Sequence, residues 1–256
     1  MNSLQKTIFL VAGEPSGDIH GARLVSAMKK GQSNILFVGH GGDEMASAGV
    51  TIIEHVDNLS IMGFSEVIQN LYRMFHILDE TVETIKHTMP DRVILIDYPG
   101  FNLRLAKRIR KLDIPITYFI LPQAWAWGEK RVKKMKPLLN QALSIFPFEK
   151  EWFEIRGLPI NYIGHPFADR PPVKKARTTF LNLHNLDPNH PIITLLPGSR
   201  QQEIDQHWPI FLKTLYLLQK KVPSLQAVVG KAPNVVLDPL PDHITVENKA
   251  RLAMAF

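Results

Sequence analysis

The sequence predicts an α/β protein made of βαβ units on parallel sheets. Short apolar runs such as "RVILIDY" recur along the chain and read as strands buried on both faces, the pattern of a sheet with helices on either side. Longer amphipathic stretches fill most of the intervals. Several runs end in Gly- or Pro-containing turns, where a strand hands over to a helix.

Taken in order, strands are expected at "TIFLVAG" from Thr7, "ILFVGHG" from Ile35, "RVILIDY" from Arg92, "ITYFI" from Ile116 and "ALSIFPF" from Ala142. "NYIGHP" from Asn161, "IITLLPG" from Ile192 and "LQAVVG" from Leu225 complete the set. The clearest helices are expected at 17–30, 64–87, 101–112, 130–140, 149–156 and 201–221. Residues 165–191 are dense in Pro, Asn and charge and poor in strand pattern, so a domain boundary is placed there. The division is a first domain over 1–170, a linker over 171–190 and a second domain from 191 to 256. That last stretch is shorter than the roughly 100 residues of a doubly wound domain, so the second domain is expected to be partial.

Bulk properties narrow the class. The 256 residues are 45% hydrophobic and 21% charged, ordinary values for a soluble globular chain. Nothing resembles a membrane span or an export signal. There is no cysteine, hence no disulfide framework, thiolate nucleophile or thiolate metal site, and a reducing cytoplasm fits. The net charge of +6 favours an anionic partner, either nucleic acid, a phosphorylated metabolite or an acidic membrane face. Much of the excess lies in "KRIRK" at 107–111 and "EKRVKKMK" at 129–136. Without a zinc-finger, RNP or KH signature, nucleic acid is not expected. Neither G-x-G-x-x-G nor a P-loop occurs, which argues against a dinucleotide oxidoreductase and a P-loop NTPase.

The candidate chemistry sits at strand ends. "GEPSGDIHG" at 13–21 follows the first strand, where ligands of open parallel sheets bind, and Ser16 and Asp18 are either site residues or helix N-caps. "ILIDYPGFN" at 94–102 ends a strand with Asp97, a candidate general base or a helix cap, while Asn102 either holds a hydroxyl or caps. Trp125 and Trp127 suit sugar stacking, a membrane interface or a core, and His165 closes "YIGHP" at another strand end. Phe64, Val67, Ile68, Leu71, Met74, Phe75 and Leu78 form a helical stripe opposite Glu66, Gln69, Asn70 and Arg73. Such a stripe buries against a sheet or dips into a membrane and grips acyl chains. "LLPGSRQQE" at 195–203 places a Pro-Gly-Ser turn at a helix start, whose backbone N–H groups and Arg200 suit a phosphate. Two such turns, one in each half, suggest a ligand shared by both domains.

The blocks "VAGEPSGDIHGA", "IMGFSEVI", "IDYPGFN", "QAWAWGEKR", "FPFEK", "YIGHP" and "LLPGSRQQEI", in this order, closely resemble the lipid-A-disaccharide synthase family. The resemblance implies a GT-B fold of two Rossmann-like domains and an inverting transfer that joins UDP-2,3-diacylglucosamine to 2,3-diacylglucosamine 1-phosphate. The products are the β-1,6 disaccharide and UDP, and neither a cofactor nor a bound metal is implied. Asp97 matches the family's base, with Gly100 where a second Asp is frequent, so Glu14 stands as the rival. By position, Gly198, Ser199 and Arg200 would meet the UDP, with Glu203 supporting their loop. Ser16, Gly17, Asp18, Asn102 and His165 would line the acceptor side. Phe64, Val67, Ile68, Leu71, Met74 and Phe75 would contact acyl chains at the cytoplasmic face of the inner membrane of a Gram-negative bacterium, with a homodimer compatible. The family's "SGT"-like loop and following Glu are not met before Phe256, so an incomplete donor site is expected. Two other readings stand beside this one: a non-catalytic remnant that binds acyl-sugar or membrane, and another GT-B enzyme such as a UDP-sugar epimerase.

Overall fold

A computed structural model describes residues 5–32, 34–60, 67–168, 177–233 and 235–255. The chain forms two compact units, Met1–Arg170 and Pro171–Phe256. The first unit runs β1 (Lys6–Ala12), α1 (Pro15–Gly31), β2 (Ile35–Gly41), α2 (Asp43–Ser47), β3 (Thr51–His55), α3 (Val56–Ser60) and α4 (Val67–Thr88). It continues through β4 (Arg92–Ile96), α5 (Pro99–Ile109), β5 (Ile116–Phe119), α6 (Ala124–Trp127), α7 (Lys130–Met135), β6 (Gln141–Ser144), α8 (Glu149–Ile155) and β7 (Asn161–Tyr162). Among the described residues these strands make one parallel seven-stranded sheet in the order β3-β2-β1-β4-β5-β6-β7.

The continuous apolar runs follow from this layering. In β1, Phe9 and Val11 join a core that includes Leu78 of α4, Leu105 of α5, Met135 of α7 and Phe153 of α8. The alternate residues Ile8, Leu10 and Ala12 join a second core with Val25 of α1 and Met45 of α2. A strand covered on both faces has no polar side, which is why its sequence does not alternate. The order reverses between β1 and β4, so the loops after these two strands flank the topological switch point, where ligands of open α/β sheets bind.

The second unit holds α9 (Arg177–Leu183), β8 (Ile192–Leu195), α10 (Gln201–Lys221), β9 (Gln226–Gly230), β10 (Ile244–Glu247) and α11 (Ala250–Ala255). Its three strands are parallel in the order β10-β9-β8. Ile204, Trp208 and Leu215 of α10 pack on one face, and Phe180 and Leu181 of α9 with Ala253 of α11 pack with Val228 in another cluster.

Several expectations change in detail. Asp97 and Tyr98 leave the strand because both have φ of 47°, which ends β4 at Ile96. Pro99 then opens α5, earlier than the expected 101, since proline suits the first helical position. "NYIGHP" pairs only through Asn161 and Tyr162, and Gly164 at φ 85° turns the chain away. Part of the stretch expected to be linker is helical: α9 forms because Phe180 and Leu181 bury an apolar edge that the surrounding polar residues obscured.

Candidate active site

At the switch point two adjacent turns are locked together. Ala12 pairs with Ile96, so Gly13 and Glu14 emerge beside Asp97 and Tyr98. The Tyr98 ring lies against Gly13: a Cβ there would stand 2.1 Å from Tyr98 Cδ1. The Tyr98 hydroxyl donates to the carbonyl of Leu59 at 3.2 Å. Burial raises the Tyr98 pKa, and the negative charge of Glu14 raises it further.

Asp97 and Tyr98 occupy the left-handed region that non-glycine residues seldom adopt. Such a turn persists only where its surroundings hold it. Here the Asp97 N–H donates to Phe119 at 3.0 Å. The Asp97 carbonyl accepts from the Tyr118 hydroxyl at 2.6 Å and from Asn102 Nδ2 at 2.7 Å. Burial drives the Tyr118 pKa well up, and the Asp97 charge adds to the rise. Glu14 and Asp97 are both half-buried, two carboxylates at neighbouring strand ends.

Other predicted residues take structural positions. Ser16 is exposed in the first turn of α1, whose N-cap position is Glu14. Gly17 is buried beneath Ala12 and Ile96. Asp18 does not cap α1. Its carboxylate is buried and accepts from the N–H groups of Gly42 (2.7 Å), Glu44 (3.1 Å) and Met45 (3.0 Å), thereby capping α2. Asn102 is fully buried and neither caps α5 nor faces solvent. Besides Asp97, its Nδ2 reaches the carbonyls of Ile96 at 3.3 Å and Val11 at 3.4 Å, tying β1 to β4, so the expected hydroxyl-binding role is corrected to holding the Asp97 turn.

Further along the carboxyl edge, aromatic rings form a row. Trp125, after β5, meets Phe148 edge-on at 5.2 Å; Phe148 stacks on Phe146 at 5.8 Å, and Phe146 lies 5.6 Å from His165. His165 and Phe167 are 5.1 Å apart, and His165 Nδ1 accepts from the Phe167 N–H at 3.1 Å. Arg23 of α1 donates to the Pro166 carbonyl at 3.0 Å. The side chain of Trp127 lies outside the described residues.

In the second unit the Pro-Gly-Ser turn is already satisfied from within. Glu203 Oε2 accepts from the N–H groups of Ser199 (2.8 Å) and Arg200 (3.3 Å), while Arg200 Nη1 reaches Glu203 Oε1 at 3.4 Å. The N–H groups expected to face an anion are thus not bare, since a carboxylate of the chain already engages them. Gly198 is required here, since at φ 142° a Cβ would fall 2.6 Å from Glu203. Beside the turn is a cleft of about 460 Å³ lined by Gly198, Ser199, Glu203, Lys231 and Asn248, among others. Lys231 and Asn248 escaped the sequence reading, though each directly follows a strand, the same signal that pointed to Asp97. The ordering bonds from Ser199 and Arg200 hold Glu203 below the ordinary glutamate pKa. A depressed pKa means stabilisation present at neutral pH and lost as pH falls below the ordinary carboxylate range. Glu203→Ala is therefore expected to cost on the order of 0.5–1 kcal/mol at neutral pH, the lower part of the capping range given its exposure, with the difference from wild type vanishing in acid. Denaturant unfolding as a function of pH measures this.

The α4 stripe divides. Met74 and Leu78 are buried in the sheet core with Ile77, Val82 and Ile85, which corrects Met74 from an acyl contact to a packing residue. Phe75 is 40% exposed and Tyr72 80% exposed, beside exposed Arg73. Phe64 lies outside the described residues, as do the side chains of Val67, Ile68 and Leu71.

Parallel sheets wound on both faces, with polar turns at their carboxyl ends, define a doubly wound α/β protein, and likeness to solved structures makes it one of GT-B fold. A putative UDP-N-acetylglucosamine 2-epimerase from Listeria monocytogenes superposes with a TM-score of 0.67 at 11% identity, over 99% of this chain and 72% of the other. The Neisseria meningitidis UDP-GlcNAc 2-epimerase bound to UDP-GlcNAc gives 0.60 at 10% identity, over 97% and 74%. Likeness at that identity concerns the fold.

The chain belongs to the lipid-A-disaccharide synthetase family, whose description matches residues 8–249. It is 36% identical over 244 residues to the lipid-A-disaccharide synthase of Coxiella burnetii (strain Dugway 5J108-111), covering 95% of this chain and 65% of that protein. The Myxococcus xanthus (strain DK1622) enzyme of the same name is 37% identical over 228 residues, or 89% of this chain and 60% of that protein. The chain thus spans slightly less than two thirds of the length of these relatives. The epimerase alternative, resting on fold alone, is not favoured.

Proposed function

We propose that the protein is an inverting glycosyltransferase of lipid A assembly, joining UDP-2,3-diacylglucosamine to 2,3-diacylglucosamine 1-phosphate. Family membership supports the substrate pair, and the held turn at Asp97 is the observation that carries the chemistry. Asp97 takes the proton of the acceptor 6-hydroxyl as its oxygen bonds to C1 of the donor sugar. The bond from C1 to the diphosphate breaks with inversion, and UDP leaves with the electron pair. Three contacts to the Asp97 main chain fix the turn from which the carboxylate projects, so little backbone reorganisation is needed at the moment of reaction. Glu14, on the adjacent turn, is the rival base.

The cleft beside Ser199 suits the donor's diphosphate, with Lys231 as the nearby cation and the α10 N-terminus favouring negative charge. A phosphate oxygen entering there would displace the Glu203 carboxylate from the Ser199 N–H. His165 and the ring row lie on the acceptor side in this reading, with Ser16 at its rim.

The substrates carry acyl chains, so we place the protein at the cytoplasmic membrane face. Among the described residues no helix is long and apolar enough to cross a membrane. Tyr72 and Phe75 instead offer exposed rings beside Arg73, suited to an interfacial contact. Replacing both by Ser is expected to weaken binding to anionic vesicles about tenfold without unfolding the chain. Unchanged sedimentation with vesicles would exclude this surface as the contact.

The function itself is tested by incubating the protein with both substrates and identifying products by mass spectrometry. Disaccharide 1-phosphate and UDP are expected. Binding of the acyl-sugars without product would leave the remnant reading, and isomerisation of UDP-N-acetylglucosamine would restore the epimerase.

A further inference from the structure

Glu149 is a carboxylate that the proposed chemistry does not use. It is 1% exposed. Burial raises its pKa, the expected effect of withdrawing a carboxylate from water. Set against that cost are hydrogen bonds: Oε1 accepts from Trp125 Nε1 at 3.1 Å, and Oε2 accepts from the Phe146 N–H at 3.4 Å. The second organises the start of α8, a common structural duty. The first is different, because it crosses from α8 to α6 and fixes the indole of a residue that remains 38% exposed. Phe148 meets that indole edge-on at an interplanar angle of 81°.

A half-exposed indole clamped by a buried carboxylate is a rigid flat surface at the carboxyl edge. It follows β5, the strand next to β4, whose following turn carries Asp97. We propose that Glu149 is a positioning residue that holds Trp125 as the stacking platform for the apolar face of the acceptor's glucosamine ring. This rests on the glycosyltransferase reading and adds to it the residue pair that recognises the sugar. The occupant is a sugar ring and not an acyl chain because one fixed plane matches the rigid C–H face of a pyranose. A flexible chain gains little from fixing the ring's orientation, whereas a pyranose needs both the plane and its polar rim left free for partners such as His165.

The test compares two ligands in the same micelles: 2,3-diacylglucosamine 1-phosphate, and phosphatidic acid, which has acyl chains and phosphate but no sugar. Titration calorimetry on the wild type should show preference for the acyl-sugar. Trp125→Ala should lose about tenfold in acyl-sugar affinity while phosphatidic acid binding is unchanged. Glu149→Ala should lose severalfold in the same selective way, and the double variant should lose no more than Trp125→Ala alone. Trp125→Phe keeps a ring without the N–H, so Glu149→Gln should have no further effect on sugar preference in that background. If Glu149→Ala does not fold, Glu149→Gln in the wild-type background carries the comparison, with the same selective loss expected. Acyl-sugar affinity undiminished in the Trp125 and Glu149 variants, or an equal loss for both ligands, would overturn the positioning role and leave the proposed function standing. Failure of the wild type to bind the acyl-sugar would overturn both.

Discussion

Asp97→Asn is expected to lower disaccharide formation by at least about a hundredfold while leaving the folded structure intact. The substitution removes the proton acceptor but nearly preserves shape. Asparagine tolerates the left-handed conformation better than most residues, so φ of 47° is kept. The backbone contacts of the turn, the Asp97 N–H to Phe119 and its carbonyl with Tyr118 and Asn102, are all kept in asparagine. Circular dichroism and thermal unfolding should therefore match the wild type. Glu14→Gln provides the contrast: with Asp97 as base, its effect should stay within about tenfold. Near-normal turnover in Asp97→Asn together with a collapse in Glu14→Gln would move the base to the β1 turn.

Gly13→Ala is expected to destabilise the first unit by roughly 1–3 kcal/mol, the range for overpacking a filled site. The added methyl would overlap Tyr98 Cδ1, Cγ and Cε1, so the whole ring must shift and not merely a flexible tip. Moving the ring also threatens its hydrogen bond to Leu59. The cause is separable by a double variant. In a Tyr98→Ala background the same Gly13→Ala change should cost less than about 1 kcal/mol, because the obstructing ring is gone. An undiminished cost would show that backbone effects at Gly13 dominate.

Much of the fold was legible because central parallel strands leave little choice. "TIFLVAG", "ILFVGHG" and "LQAVVG" are apolar on both faces and nearly coincide with β1, β2 and β9. β3 was not expected, since "TIIEH" is an edge strand with mixed exposure and carries no clear period. The strand-end turns that carry the candidate residues were legible for the same topological reason. What could not be read was how each side chain's bonding capacity is used. Asp18 looks like a cap for its own helix and caps α2, 24 residues further on for its nearest partner. Glu203 looks like a support beside the Pro-Gly-Ser turn, and its carboxylate takes the Ser199 N–H that an anion was expected to take. Periodicity found the α4 stripe but could not divide it, because Met74 and Phe75 are adjacent in sequence and only packing decides which of them the sheet covers.

The central claim is that the protein transfers a sugar to a hydroxyl deprotonated at the Asp97 turn. Its most direct test gives the protein UDP-2,3-diacylglucosamine with either 2,3-diacylglucosamine 1-phosphate or the 6-deoxy analogue of that acceptor. One UDP should be released per disaccharide with the first, and no disaccharide should form with the second. Disaccharide from the 6-deoxy acceptor at an equal rate, or UDP release without any disaccharide, would contradict the account.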